Sequence, residues 1–395
     1  MISETEERML ALLADVLHGR RPQPVPAEAW PALKKELTAQ TVRAMPAENL
    51  ADLGLSQTEE MLYFRDIVRG RQGFHRLMKE QQRALSVLQE AGIPAVVLKG
   101  AAAARYYPRP EDRCMGDVDL LVQPQDFRRA YAALTAAGYA AQQTPDWFYR
   151  HIGLHGESGV EVELHRHFSS SDHRRQNRRL DRLLARGVAS RQSADVCGYP
   201  VSVLPPLENG LVLLGHINHH LPDGLGLRQI IDWMFYVEAV LDDAFWESGF
   251  AEQAEAIGMK RLAILVTGMC RKYLGLQKEI SWCAVEPVCD ELMEYILARG
   301  NFGRKVDEVR FKTVRQMKNL RNPFHWLKLA QISGLDHWEA AQRHRLLRPF
   351  AWCYQVVRWA RLGVGAGLTV GQLGEASASA KELDTLMKKL GVTRT

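Results

Sequence analysis

Over the first ninety residues, apolar positions recur at helical spacing. LALLADVL near the start, the Trp30 to Leu37 segment and the long Thr58 to Ala91 stretch each carry an apolar stripe with few β-branched runs, the signature of amphipathic helices. The last stripe runs into Ala91-Gly92-Ile93-Pro94, a helix stop. The period then changes. PAVVLKG (94–100) is a short apolar run closed by glycine, AAAARYY reads as a helix broken at Pro108 and Pro110, and DVDLLV reads as a second strand. QPQDFRRAYAALTAAGY reads as a helix ending at Gly138, and WFYRHIGL, HGESG and VEVELHRHF read as a β-hairpin around a glycine-containing turn. From about residue 205 the spacing is helical again, in PPLENGLVLLGHINHHL and LRQIIDWMFYVEAVL. The tail holds a small polar linker, Ala376 to Ala380, before a last short amphipathic helix.

This order predicts an α+β fold: a small mixed-sheet core flanked by amino- and carboxy-terminal helical regions. The expected regions are 1–92 (helical), 93–200 (the α/β core), 201–300 (helical) and 301–395 (helical, basic and aromatic-rich). A chain of 395 residues, 46% hydrophobic and 25% charged, is long enough to bury a sizeable core in two or three domains.

Other classes are excluded or demoted. No apolar run approaches the roughly 18 residues of a membrane span. The opening MISETEERMLALLADVL has early acids and no basic stretch, so it does not read as a secretion signal, and a cytoplasmic location is expected. Cys114, Cys197, Cys270, Cys283, Cys289 and Cys353 form no CxxC pair, which argues against a zinc ribbon or a disulfide framework.

The candidate chemistry begins with DRCMGDVDLLV (112–122). In an extended strand residues i and i+2 share a face, so Asp117 and Asp119 project together. Two carboxylates that close repel unless a cation neutralises them, and magnesium takes hard oxygen ligands. In VEVELH (160–165), Val160, Val162 and Leu164 alternate with Glu161, Glu163 and His165. Should that strand pair beside the aspartates, one glutamate completes a three-carboxylate site for metals that bridge phosphates and activate a hydroxyl. In LKGAAAARYY, Lys99 and Gly100 open a helix where a phosphate could sit, although the Walker spacing is absent.

The succession "VVLKGAAAARYY", "DRCMGDVDLLV", "VEVELHRHF" resembles the polymerase-β-type nucleotidyltransferase superfamily. The resemblance is greatest to its "uncharacterised nucleotidyltransferase" branch, whose members read LKG, then R-x-x-GD-x-D-LLV, then E-L-H. It is strong over 94–168 and looser over 1–300. It implies that Asp117, Asp119 and Glu163 hold catalytic Mg2+, with Mn2+ as an alternative, and that Lys99, Gly100, Arg113 and Gly116 contact the triphosphate. Gly100-Ala101 stands where the superfamily has Gly-Ser, so no serine hydroxyl is available. Glutamate replaces the commoner aspartate as third carboxylate, and Glu161 competes with Glu163 for that place.

The activity so implied is transfer of an NMP, AMP from ATP being favoured, to an acceptor hydroxyl with pyrophosphate leaving. The acceptor is expected to be a small molecule, bound on the side of the 201–300 helices. Rival readings are a protein-modifying AMP transferase of toxin–antitoxin type and a catalytically silent nucleotide-binding scaffold.

His216, His219 and His220 fall at i, i+3 and i+4. With no HExxH glutamate they are read as structural or as acceptor-side residues rather than as a zinc site. Arg228 and Asp232, four apart on the next helix, suit a salt bridge, and His165 suits a place beside the metal ligands. Residues 301–361 hold thirteen Lys/Arg against four Asp/Glu, interleaved with Phe311, Phe324, Trp326, Trp338, Phe350, Trp352, Tyr354 and Trp359. A second basic cluster spans 173–187. Both suit a polyanion, but no nucleic-acid-binding motif accompanies them.

Overall fold

Two serine caps open the helices at the start of the chain. Ser3 with Glu6, and Ser56 with Glu59, form reciprocal capping boxes that satisfy orphan backbone groups of a first turn. They begin α1 (Glu4–Val16) and α3 (Gln57–Glu90), with α2 (Trp30–Ala39) between them. At 34 residues, α3 is about 51 Å long. The computed structural model describes residues 1–303 except 143, 146, 148 and 170–174, together with 305, 327, 330, 331, 333–335, 337, 338, 340, 341, 344–365 and 381–392.

The core follows in chain order as β1 (Ala95–Leu98), α4 (Gly100–Ala104), β2 (Val118–Val122), α5 (Phe127–Ala136), β3 (Ala140–Ala141), β4 (His151–His155), β5 (Glu161–His165), α6 (Arg175–Ala189), β6 (Gln192–Val196) and β7 (Tyr199–Val203). The strands form one mixed sheet in the order β3-β4-β5-β2-β1-β7-β6. β1 runs antiparallel to β2 and parallel to β7, while β2 runs parallel to β5. One face of the sheet buries Val97, Val118, Leu120, Val162 and Leu164 with Phe74 and Met78 of α3 and Phe127 and Leu134 of α5. Because side chains alternate, Asp119, Glu163 and His165 take the opposite face.

Two elements differ from the sequence pattern. The AAAARYY helix stops at Ala104 after five residues, because the chain turns there toward Pro108 and Pro110. Residues 192–203, which periodicity left unassigned, form the β6–β7 hairpin. Its two-residue turn has Cys197 at φ 54° and Gly198 at φ 80°, the left-handed pair that fits strand twist, and Asp195 Oδ1 accepts the Gly198 N–H at 3.0 Å.

Beyond the sheet lie α7 (Pro206–His220), α8 (Leu227–Ala239), the short α9 (Asp243–Phe245) and α10 (Ala251–Ala256), then α11 (Lys260–Leu274) and α12 (Pro287–Arg299). α7 is buried from Asn209 to Asn218. A Cβ on its Gly215 would come within 2.6 Å of the Phe168 ring, so glycine lets α7 lie close to the chain leaving β5. α1 packs on α2 and α11, and His18 Nε2 meets the Leu274 carbonyl at 2.9 Å. Helices from both ends of this region therefore share one layer.

The chain divides into two compact units, Met1–Asn301 with Lys388–Thr395, and Phe302–Met387. The second unit holds a 3-10 turn at Arg345–Phe350 and α13 (Ala351–Gly365), with the Trp338 ring stacked on Tyr354 at 5.3 Å. Phe311, Phe324, Trp326, much of the basic 301–361 stretch, residues 173 and 174 and the Ala376–Ala380 linker lie outside the described residues. Among those described, no helix is long and apolar enough to cross a membrane.

Candidate active site

Parallel pairing of β2 with β5 sets Asp119 opposite Glu163. Antiparallel pairing of β1 with β2 sets Leu98 opposite Asp119, so Lys99 emerges at the same edge. Ligand oxygens of Asp117, Asp119 and Glu163 all lie within 4.8 Å of one another. Glu161 is not among them: its carboxylate accepts from Gln142 Nε2 at 2.6 Å.

Asp119, 3% exposed, is clamped on both sides. Lys99 Nζ reaches Oδ2 at 2.9 Å and His165 Nε2 reaches Oδ1 at 3.0 Å. His165 Nε2 also lies 3.0 Å from Glu163 Oε2. Burial alone would raise the Asp119 pKa, but the Lys99 ammonium and His165 outweigh it and hold the group well below the usual carboxylate range. Burial would likewise raise Glu163, and His165 pulls it down. For His165 and Lys99 burial works downward, and the carboxylates they face raise both overall.

Asp117 is the odd member. Among the described residues no hydrogen bond or ion pair reaches it. Burial first, and then repulsion from Asp119, push its pKa up. Three carboxylates therefore face one ammonium and one imidazole, leaving negative charge that a hard divalent cation fits by its preference for oxygen donors.

The turn that delivers Asp117 is held by the two residues before Cys114. Asp112 accepts Arg71 of α3 at 2.8 and 3.1 Å. Arg113, 1% exposed, places Nε and Nη2 at 2.7 Å from the two oxygens of Asp232 on α8, and the Tyr107 hydroxyl donates to the same carboxylate at 2.7 Å. The Arg228–Asp232 salt bridge suggested by spacing is not made. Asp232 is engaged by Arg113 and Tyr107, and Arg228 Nη1 donates to the Cys114 carbonyl at 2.7 Å. Arg228 Nε is buried with no hydrogen-bond partner, and burial followed by the nearby Arg113 lowers the pKa of the group. Gly116 is exposed in the same turn.

Lys99 and Gly100 both have positive φ, 47° and 39°, so the strand-to-helix turn is strained at a non-glycine residue, at a cost on the order of 1–3 kcal/mol. That conformation aims the lysine side chain back at Asp119.

The α7 histidines line another side. His216 and His220 meet edge to face at 4.5 Å, and the His219 and His220 rings lie 5.2 Å apart. Arg150 Nη2 comes within 3.5 Å of His219 Nε2. Burial, then His220 and Lys99, lower His216 well below the usual histidine range. His220 is pushed down to about 2, first by burial and then by His219. Both are neutral imidazoles at neutral pH, and none of the three belongs to a metal-capable group among the described residues.

Sequence reasoning did not reach His151. It is the register partner of His165 across β4 and β5, and its Nε2 lies 3.6 Å from Glu163 Oε1. Burial and then His165 push it down to about 4. Symmetric counting outward from the HGESG turn (155–159) pairs His151 with Glu163 instead, two residues short of the observed partner His165, so no local pattern joined the two histidines.

A family model described as "uncharacterised nucleotidyltransferase" matches residues 26–275. No curated protein matches the chain. Solved structures that do match include the antibiotic-resistance factor ANT(2'')-Ia, at 12% identity over 46% of this chain and 88% of that one, TM-score 0.30. Another is an antigenic nucleotidyltransferase-like protein from Paracoccidioides brasiliensis, at 16% identity over 52% and 95%, TM-score 0.33. Likenesses at these scores do not bear on what this chain binds.

Proposed function

Because this chain belongs to the uncharacterised nucleotidyltransferase family, and so is a nucleotidyltransferase, we propose that it moves AMP from ATP to the hydroxyl of a small-molecule acceptor. Asp117, Asp119 and Glu163 would hold the divalent cation, Mg2+ first and Mn2+ as the alternative. When bound, that cation supplies positive charge to offset the phosphates and the charge developing on them. The observation that carries this reading is the convergence of the three carboxylates, with Asp117 unpaired.

The residues then divide the work. The acceptor oxygen bonds to the α-phosphorus, the bond to the bridging oxygen breaks, and pyrophosphate leaves with that electron pair. Glu163, 21% exposed beside the buried Asp119, takes the hydroxyl proton and passes it to water. Lys99 compensates negative charge at Asp119 in the resting protein, and the same ammonium is positioned to meet phosphate oxygens when nucleotide enters. Neutral His216 and His220, with Arg228, face this site from α7 and α8. Their buried walls favour a compact acceptor.

The test is release of pyrophosphate and transfer of α-phosphate label from each of the four NTPs, with and without Mg2+, across a panel of small hydroxyl acceptors. Magnesium-dependent transfer lost in Asp117→Asn supports the reading. Label arriving on a protein instead of a small molecule would move the assignment to a protein-modifying AMP transferase. Transfer undiminished in Asp117→Asn would remove the proposed site.

A further inference from the structure

We propose that His151, His165 and Glu163 form a subsite for a borderline transition-metal ion of the Zn2+/Co2+ class, on the β4–β5 side of the carboxylate cluster and sharing Glu163 with it. The three residues come from one antiparallel hairpin. His151 and His165 are cross-strand partners with rings 4.9 Å apart, and Glu163 is two residues before His165 on the same face. One ligand atom from each lies within 4.8 Å of the others.

The distances suit such an ion. Metal–ligand bonds of about 2.0–2.1 Å in a tetrahedron place ligand atoms about 3.3 Å apart. Two contacts fall near that separation, each to a different oxygen of the same carboxylate: 3.0 Å from His165 Nε2 to Glu163 Oε2, a hydrogen bond that the ion would replace, and 3.6 Å from His151 Nε2 to Glu163 Oε1. The donor set is selective too, since imidazole suits zinc, cobalt and related ions while magnesium prefers oxygen alone.

The Nδ1 atoms of His151 and His165 are both buried without a hydrogen-bond partner, so each ring offers its polar contacts to the cluster through Nε2. His165 is 4% exposed, and its polar contacts point into this cluster. Metal binding at its Nε2 displaces the proton shared with Asp119 and Glu163, so one proton leaves as the ion enters. The proposal does not depend on magnesium binding at Asp117 and Asp119.

The experiment titrates the chelator-stripped full chain with Co2+ in millimolar Mg2+, read by visible absorption and calorimetry. About one equivalent is expected to bind with the spectrum of mixed nitrogen and oxygen ligation, and His151→Gln should weaken it about tenfold or more. Glu161→Gln, on the same face but outside the cluster, should leave it unchanged, and so should Asp117→Asn. Equal Co2+ binding by wild type and His151→Gln, or mole-for-mole displacement by Mg2+, overturns the subsite. Should His151→Gln fail to fold, Zn2+ added to wild-type chain with 15N-labelled histidine decides. Shifts of two imidazoles support the proposal, and none overturns it. Loss of magnesium-dependent nucleotide binding in Asp117→Asn is scored separately, so this subsite and the proposed function stand or fall apart.

Discussion

Asp119 and Glu163 are register partners across the parallel β2–β5 ladder, and His165 Nε2 lies 3.0 Å from a carboxylate oxygen of each. Asp117, two residues earlier, shares their face but none of their bonds. The same charge therefore does different things at 117 and 119.

Removing it should separate activity from stability. Asp119→Asn leaves the buried Lys99 without its carboxylate and His165 with Glu163 alone, and should cost about 3 kcal/mol or more. Asp117→Asn removes a charge that burial and Asp119 disfavour, so it should not destabilise the chain. Each should lower nucleotidyl transfer about a hundredfold or more. Urea unfolding beside a pyrophosphate-release assay checks both, and equal destabilisation by the two variants would contradict the geometry.

The Arg113–Asp232 pair, with both side chains 1% exposed, holds the turn before β2 to α8. Arg113→Ala should destabilise the chain by about 3–5 kcal/mol, and lysine should not rescue it because the contact is bidentate. Unaltered urea stability with weakened nucleotide binding would instead make Arg113 a phosphate ligand.

Stability of the metal-free chain should depend on pH through two opposed groups. His165 is raised above its ordinary 6.5, so its contribution is full below that value and is lost as pH rises through the folded pKa. Asp119 is lowered from 3.8, so its contribution is present above that value and is lost as pH falls through the folded pKa. Unfolding free energies measured in chelator across pH should fall off at both ends. In His165→Asn the alkaline decline should flatten, and an unchanged alkaline limb would count against the assignment.

Gly100 has φ 39°, whereas Gly116 does not have a positive φ and a Cβ there would meet nothing within 4 Å. Gly100→Ala should cost about 1–2 kcal/mol in backbone strain alone, since the nearest atom to a new Cβ, Met115 Sδ, is 3.6 Å away. Gly116→Ala should stay within about 0.5 kcal/mol. Chemical denaturation of the two variants side by side decides it.

Much of the fold was legible because burial imposes a period on a chain. The 3.6-residue stripe from Thr58 to Ala91 became α3, and the alternation in DVDLLV and VEVELH became β2 and β5. The β6–β7 hairpin escaped because QSADV and YPVSV are short and only partly apolar, and a Cys-Gly turn is a weak signal beside Asn-Gly. Its Val201 and Val203 are buried by neighbours from other parts of the chain, which no local pattern records.

By itself the sequence determined which residues share a face, since strand alternation is local geometry. That placed Asp117 with Asp119 and put Glu161, Glu163 and His165 together. It could not choose between the two glutamates, because a period of two repeats identically at both. Tertiary structure separates them through register: Glu163 lies beside Asp119, and Glu161 is one step away, at Gln142. The same holds for Arg113, whose spacing to any acid nearby in the chain says nothing about Asp232. A buried guanidinium takes the carboxylate that packing brings to it, and here packing reaches across 119 residues of chain.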